Sequence, residues 1–77
     1  MDELTSKQKN IYHFIKWFIC EHQKPPTRKE IAQEFRFVSD NAAQEHLIRI
    51  EKKGFISLGE GNRNIKVLGF QLIWDKG

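Results

Sequence analysis

The sequence predicts an α+β fold in which three helices are followed by a β-hairpin, and three observations support this. Two segments begin with a residue pair that can form a capping box, Thr5 with Gln8 and Thr27 with Glu30. Apolar residues then recur at intervals of three and four, as on the buried face of a helix. After Gly54, two short β-prone segments flank a turn rich in glycine and asparagine. Because short helices cannot bury their apolar faces alone, the 77 residues should form one domain.

The first helix is predicted over residues 6 to about 21. Its apolar stripe consists of Ile11, Phe14, Ile15, Phe18 and Ile19. Trp17 falls beside the stripe, where another part of the chain is expected to cover it. The single cysteine, Cys20, is expected to pack next to the stripe, and it permits neither an internal disulfide nor a cysteine-based zinc site. Pro25 and Pro26 end the helical region because proline lacks the N–H group that a helix interior requires.

The second helix, over about 28–35, and the third, over about 40–53, are separated by a short turn. Phe37 and Val38 in this turn are predicted to fill the angle between the two helices. Two helices joined in this way match the helix-turn-helix pattern. Many such turns carry glycine where this chain has Arg36. If the backbone there is left-handed, arginine destabilises the fold by on the order of 1 kcal/mol relative to glycine. Ser39 is a suitable N-cap for the third helix, and Gly54 suits its C-terminal end.

Residues 55–68 are predicted to form a hairpin directly after the third helix, in the place of a wing. The predicted fold is therefore a three-helix winged helix-turn-helix. Residues 70–74 alternate with a period of two, as a third short strand would. Two alternatives stay open for the tail, 69–77: it folds back over the first helix near Trp17, or it offers an apolar edge to a second copy.

Composition and charge indicate which partners and which cellular location to expect. The formal net charge of +3 mildly favours a polyanionic partner. No apolar run approaches the length of a membrane span, and the first ten residues have no signal-peptide core. The sequence therefore predicts a cytoplasmic protein without a membrane partner.

The outward face of the third helix carries side chains that can read base edges. On a helical wheel Asn41, Ala42 and Glu45 point away from the core, with Gln44 at the border. Asparagine or glutamine can pair with adenine, glutamate can accept from the cytosine amino group, and alanine can contact the thymine methyl. Any solvent-facing helix is polar, however, so this face by itself favours an ordinary solvated surface.

Three groups of residues could contact a phosphate backbone, although each alone is also typical of a solvated surface. They lie around the start of the second helix, at the end of the third helix and near the hairpin tip. The residues are Lys24, Arg28 and Lys29, then Arg49 and Lys52, then Arg63, Asn64 and Lys66.

The segments PPTRKEIAQEF, FVSDNAAQEHL and KKGFI resemble the N-terminal DNA-binding domain of the LexA family of bacterial SOS repressors. The resemblance implies a sequence-specific regulator of transcription that binds double-stranded DNA with its third helix in the major groove. It implies base reading at positions matching Ser39, Asn41, Ala42, Gln44 and Glu45. Because one module of this size buries little DNA surface, two copies on a two-fold symmetric operator are expected. The alternative is a winged-helix module that binds another protein through the third helix.

Three departures from the family pattern bear on these expectations. Gln44 stands where the family commonly has glutamate, and Asp40 where it often has proline, so the preferred bases are left open. LexA also continues into a domain with a serine–lysine pair that cleaves its own chain, which residues 69–77 do not supply. The chain is thus an excised domain or a small stand-alone regulator, and the tail favours the second. No catalysis, cofactor, metal or small-molecule substrate is expected.

Overall fold

Three helices and a two-stranded antiparallel hairpin make up the fold in a computed structural model that describes residues 3–61 and 64–68. This confirms the predicted winged helix-turn-helix. The elements are α1 (Ser6–His22), α2 (Arg28–Phe35), α3 (Asp40–Lys52), β1 (Ile56–Leu58) and β2 (Ile65–Val67). We call the β1–β2 hairpin the wing. The expected third strand over 70–74 and the tail lie outside the described residues, and so does Arg63.

Each helix begins at a side-chain cap. Both predicted capping boxes are complete. The Thr5 hydroxyl accepts from the Gln8 N–H at 3.2 Å, and the Thr27 hydroxyl accepts from the Glu30 N–H at 3.1 Å. The Ser39 hydroxyl caps α3 by accepting from the N–H of residue 42 at 3.3 Å. Each cap satisfies an amide that the helix itself cannot pair and contributes about 1 kcal/mol.

The core lies where the three helices meet and the wing covers them. α2 and β1 both pack against α3, and α1 contacts it as well. The buried apolar residues are Leu4, Ile11, Ile15, Ile31, Ala32, Ala43, Leu47, Ile50, Ile56 and Ile65. The inward face of α3 is therefore fully used for packing, which leaves its other face to solvent.

Three predictions about packing are wrong. Trp17 is 53% exposed and is not covered as the sequence predicts. Val38 does not fill the angle between α2 and α3. The Phe37 ring lies there instead, with its centroid 5.9 Å from that of Phe35 on α2 and 5.0 Å from that of His46 on α3. Val38 stays on the outside of the turn and is 98% exposed.

Cys20 is also exposed rather than packed. Burial along α1 decreases from the fully buried Ile15 toward the C-terminal end of the helix, and Cys20 lies beyond the covered part.

Arg36 ends α2 in the left-handed conformation, with φ 58° and ψ 41°. A side chain in this conformation costs about 1–2 kcal/mol, whereas glycine adopts it freely but loses more backbone entropy on folding. Arg36→Gly should therefore raise the free energy of unfolding by up to about 1 kcal/mol, measured by urea denaturation. Arg36→Ala, which keeps the Cβ atom, is the control and should give no gain. Equal stability of the two variants would contradict strain at this turn.

None of the helices in residues 3–61 combines the length and apolar character that crossing a bilayer would require.

Candidate nucleic-acid interface

The first two turns of α3 present the residues that the sequence predicts to read bases. Ser39, Asn41 and Glu45 are exposed, and Ala42 and Gln44 are partly buried. The helix is held from the opposite side by Ala43 and Leu47, which are completely buried. The structure thus places all five residues near the start of one helix, on or beside its solvent-facing side.

Ser39 has two roles available to it. Its oxygen accepts from the helix N-terminus, but its hydroxyl hydrogen can still donate to another group. Asn41 and Gln44 each offer both a donor and an acceptor, whereas the ionised carboxylate of Glu45 can only accept hydrogen bonds. Such a mixture can discriminate between base edges, which differ in their order of donors and acceptors.

The N-terminal ends of α2 and α3 meet at an open depression of about 240 Å³, lined by Thr27, Arg28, Lys29 and Asp40. Arg28 and Lys29 bring two exposed cations to the positive end of α2. This combination favours an anion such as a phosphate group. Asp40 brings a carboxylate to the same depression, so it opposes anion binding there.

The remaining predicted phosphate contacts lie on three separate elements. Lys24 is exposed in the turn before α2, and Arg49 and Lys52 are exposed toward the C-terminal end of α3. Lys66 is exposed on β2. Asn64 is partly buried, and its side-chain amide donates to the Gly59 carbonyl oxygen across the hairpin. Asn64 therefore helps to close the wing, with one amide hydrogen committed to that bond.

Long-range hydrogen bonds fix the C-terminal end of α3. The Lys53 ammonium group, just beyond the helix, donates to the buried Gln8 side chain and to the Glu3 carbonyl oxygen, both at 2.8 Å. The Glu51 carboxylate accepts from the Leu58 N–H of β1 at 2.9 Å. The sequence does not predict these hydrogen bonds, because no residue spacing or short motif marks the residues that form them.

His46 packs behind the exposed face of α3. Its ring stacks on Phe37 with centroids 5.0 Å apart. Burial, helped by the positive charges of Lys7 and Arg49, lowers the pKa of the His46 imidazole, and Glu45 opposes this more weakly. The lowered pKa favours the neutral imidazole, and the ring acts as a packing group.

The helix-turn-helix, the wing and the exposed polar start of α3 together define the winged helix-turn-helix class of DNA-binding domain. Residues 1–63 match the family model described as the LexA DNA binding domain, and the chain belongs to that family. The LexA repressor of Pseudomonas aeruginosa is 47% identical over 72 residues, which are 92% of this chain and 35% of that protein. The LexA repressor of Glaesserella parasuis is 46% identical over 66 residues, or 84% of this chain and 32% of that protein. The chain thus spans about a third of the length of these relatives.

Proposed function

We propose that this chain, as one winged helix-turn-helix domain, binds double-stranded DNA sequence-specifically and acts as a LexA-like transcriptional repressor in the bacterial cytoplasm. The observation that carries the proposal is the start of α3, where polar and small side chains face solvent while the opposite side of the helix is fully buried. Exposed cations lie on α2, at the end of α3 and on the wing. No catalytic step is part of the proposal.

In the proposed complex the N-terminal half of α3 enters the major groove. Asn41 and Gln44 would pair with adenine edges, Glu45 would accept from a cytosine amino group, and Ala42 would contact a thymine methyl. Ser39 would donate its remaining hydroxyl hydrogen. The two amides are the strongest candidates for discrimination, because each can make two hydrogen bonds to one base.

The phosphate backbone would be contacted on both sides of the groove. One set of contacts comes from the depression at the start of α2 and the turn before it, and another from the end of α3 and the wing. The residues proposed for this role are Lys24, Arg28, Lys29, Arg49, Lys52, Arg63, Asn64 and Lys66. Such contacts set the orientation and affinity of the domain rather than its sequence preference.

Two copies on a two-fold symmetric operator are proposed, since each domain can cover only one half-site. Helix-turn-helix dimers bind half-sites about one helical turn apart, and this spacing would let two modest contacts act together.

Salt dependence of binding tests the proposal. If the chain neutralises about five phosphates, the logarithm of its association constant for a duplex pool should fall with log salt at a slope of about −4 to −5. Fluorescence anisotropy titrations between low and moderate salt measure this slope. No binding to duplex, or binding that does not depend on salt, would contradict the proposed function.

Removal of the Lys66 side chain should weaken binding to all duplexes alike. An exposed lysine on the wing contacts phosphate in the proposed complex, so Lys66→Ala should reduce the magnitude of the salt slope by about 1. Lys9→Ala is the matched control, because Lys9 is an exposed lysine on α1, outside the proposed surface. A loss confined to one DNA sequence would show that Lys66 reads a base instead.

A further inference from the structure

We propose that Glu51 is a positioning residue for DNA binding: by holding the edge of β1, its carboxylate sets the place of the wing, and of Lys66, relative to α3. The inference deepens the proposed function and rests on it. Glu51 itself is not proposed to touch DNA.

The hydrogen bond from Leu58 to Glu51 joins the last turn of α3 to the first strand of the wing. The donor is the backbone N–H of Leu58 and the acceptor is Oε2 of Glu51, at 2.9 Å. Both residues are partly buried, so the amide is shielded from much of the solvent that would otherwise pair with it. The bond therefore matters more than one at an open surface.

The hydrogen-bond pattern of the hairpin shows why Leu58 needs this partner. Backbone bonds run from the Leu68 N–H to the Phe55 oxygen and from the Gly59 N–H to the Asn64 oxygen, both at 3.0 Å. Hydrogen-bonded and non-hydrogen-bonded pairs alternate along an antiparallel ladder. The Leu58–Ile65 pair is therefore non-hydrogen-bonded, and the Leu58 N–H points away from β2. In a larger sheet a third strand would accept a hydrogen bond from this outward-pointing amide. Here the Glu51 carboxylate accepts it instead.

The same bond controls where Lys66 lies. Lys66 is paired with Ser57, next to Leu58, and Ile65 pairs with Leu58 itself. One face of the wing is anchored because Ile56 and Ile65 are buried in the core. Phe55, Leu58 and Val67 also pack against the core. A two-stranded hairpin is only marginally stable alone, and the Glu51 carboxylate adds a directional hydrogen bond at the outer edge of β1 to these non-directional apolar contacts.

Electrostatics and positioning predict opposite effects at this residue. Removing a carboxylate from a DNA-binding domain reduces repulsion from phosphate and should tighten binding. Loss of the wing position should instead weaken binding. Comparing variants that lose the charge with variants that lose the acceptor therefore separates the two effects.

Three variants make the comparison. Glu51→Gln loses the charge but keeps an oxygen that can accept from Leu58, Glu51→Ala loses both, and Glu51→Asp keeps the charge on a side chain one methylene shorter. The dissociation constant for a duplex pool is measured in each background with Lys66 and with Lys66→Ala. Circular dichroism on each variant gives the folded fraction, by which the constants are corrected.

The proposal predicts that Lys66→Ala weakens DNA binding about threefold to tenfold in the wild type and in the Glu51→Gln background. With Ala or Asp at position 51 the same substitution should change the affinity less than about twofold. Glu51→Ala should also bind more weakly than Glu51→Gln, although the two have the same net charge. Amide hydrogen exchange at Leu58 should be slow in the wild type and in Glu51→Gln, and fast in the other two.

Equal effects of Lys66→Ala in all four backgrounds would overturn the positioning role and leave the proposed function intact. If Lys66→Ala has no effect even in the wild type, Lys66 does not contact DNA, and this proposal fails as well. Failure of the wild type to bind duplex would instead count against the proposed function. If Glu51→Ala does not fold, the comparison of Glu51→Asp with the wild type decides the question at constant charge.

Discussion

Leu47→Ala is expected to lower the free energy of unfolding by about 2–5 kcal/mol. Leu47 lies on the inward side of α3 and is completely buried, so the substitution leaves a cavity at the centre of the core. A chain of this length has a total stability of about 4–12 kcal/mol, so the loss is a large share of the whole. Urea denaturation followed by circular dichroism measures it.

Ile48→Ala is the matched control for that experiment. Ile48 is the next residue on the same helix, but it is 37% exposed and points outward. Its truncation removes less buried surface and should cost about 1 kcal/mol or less. A cost at Leu47 no greater than that at Ile48 would contradict the assignment of the two faces of α3, on which the proposed DNA-binding orientation depends.

Asn41→Ala is expected to reduce discrimination at one base pair by about 1–3 kcal/mol. Asn41 is exposed in the first turn of α3, where its amide can reach a base edge in the proposed complex. Alanine has the higher helix propensity, so folding should not suffer. The measurement compares affinities for the preferred duplex and for duplexes changed at single positions.

Asn10→Ala provides the control because it removes the same side chain from an exposed position on α1, away from the proposed surface. It should leave the ranking of duplexes unchanged. If Asn41→Ala weakened every duplex by the same factor, Asn41 would be a backbone contact and not a base reader.

The elements of the fold could be predicted because their signals are local. Thr5 with Gln8 and Thr27 with Glu30 mark helix starts within four residues, and both boxes are formed. The left-handed turn at Arg36 and the positive φ of Gly54 also follow from short-range chain geometry. The inward residues of α3 follow from the helical period alone.

Contacts between distant parts of the chain could not be predicted in this way. The exposure of Val38 depends on how much space the Phe37 ring takes between two packed helices. The bonds of Lys53 to Gln8 and of Glu51 to Leu58 depend on the three-dimensional arrangement of α1, α3 and the wing. The candidate site shows the same division. Its residues could be placed on the outer face of α3, but the meeting of Asp40 with Arg28 and Lys29 at one depression emerges only from the packed helices.

The most direct test of base reading by α3 is selection of bound sequences from a pool of random duplexes. The wild-type chain should enrich one short sequence, present as two inverted copies about one helical turn apart. Selection with Asn41→Ala should return the same sequence with one base position relaxed. A wild-type pool that remains random after repeated rounds would contradict sequence-specific reading by this helix.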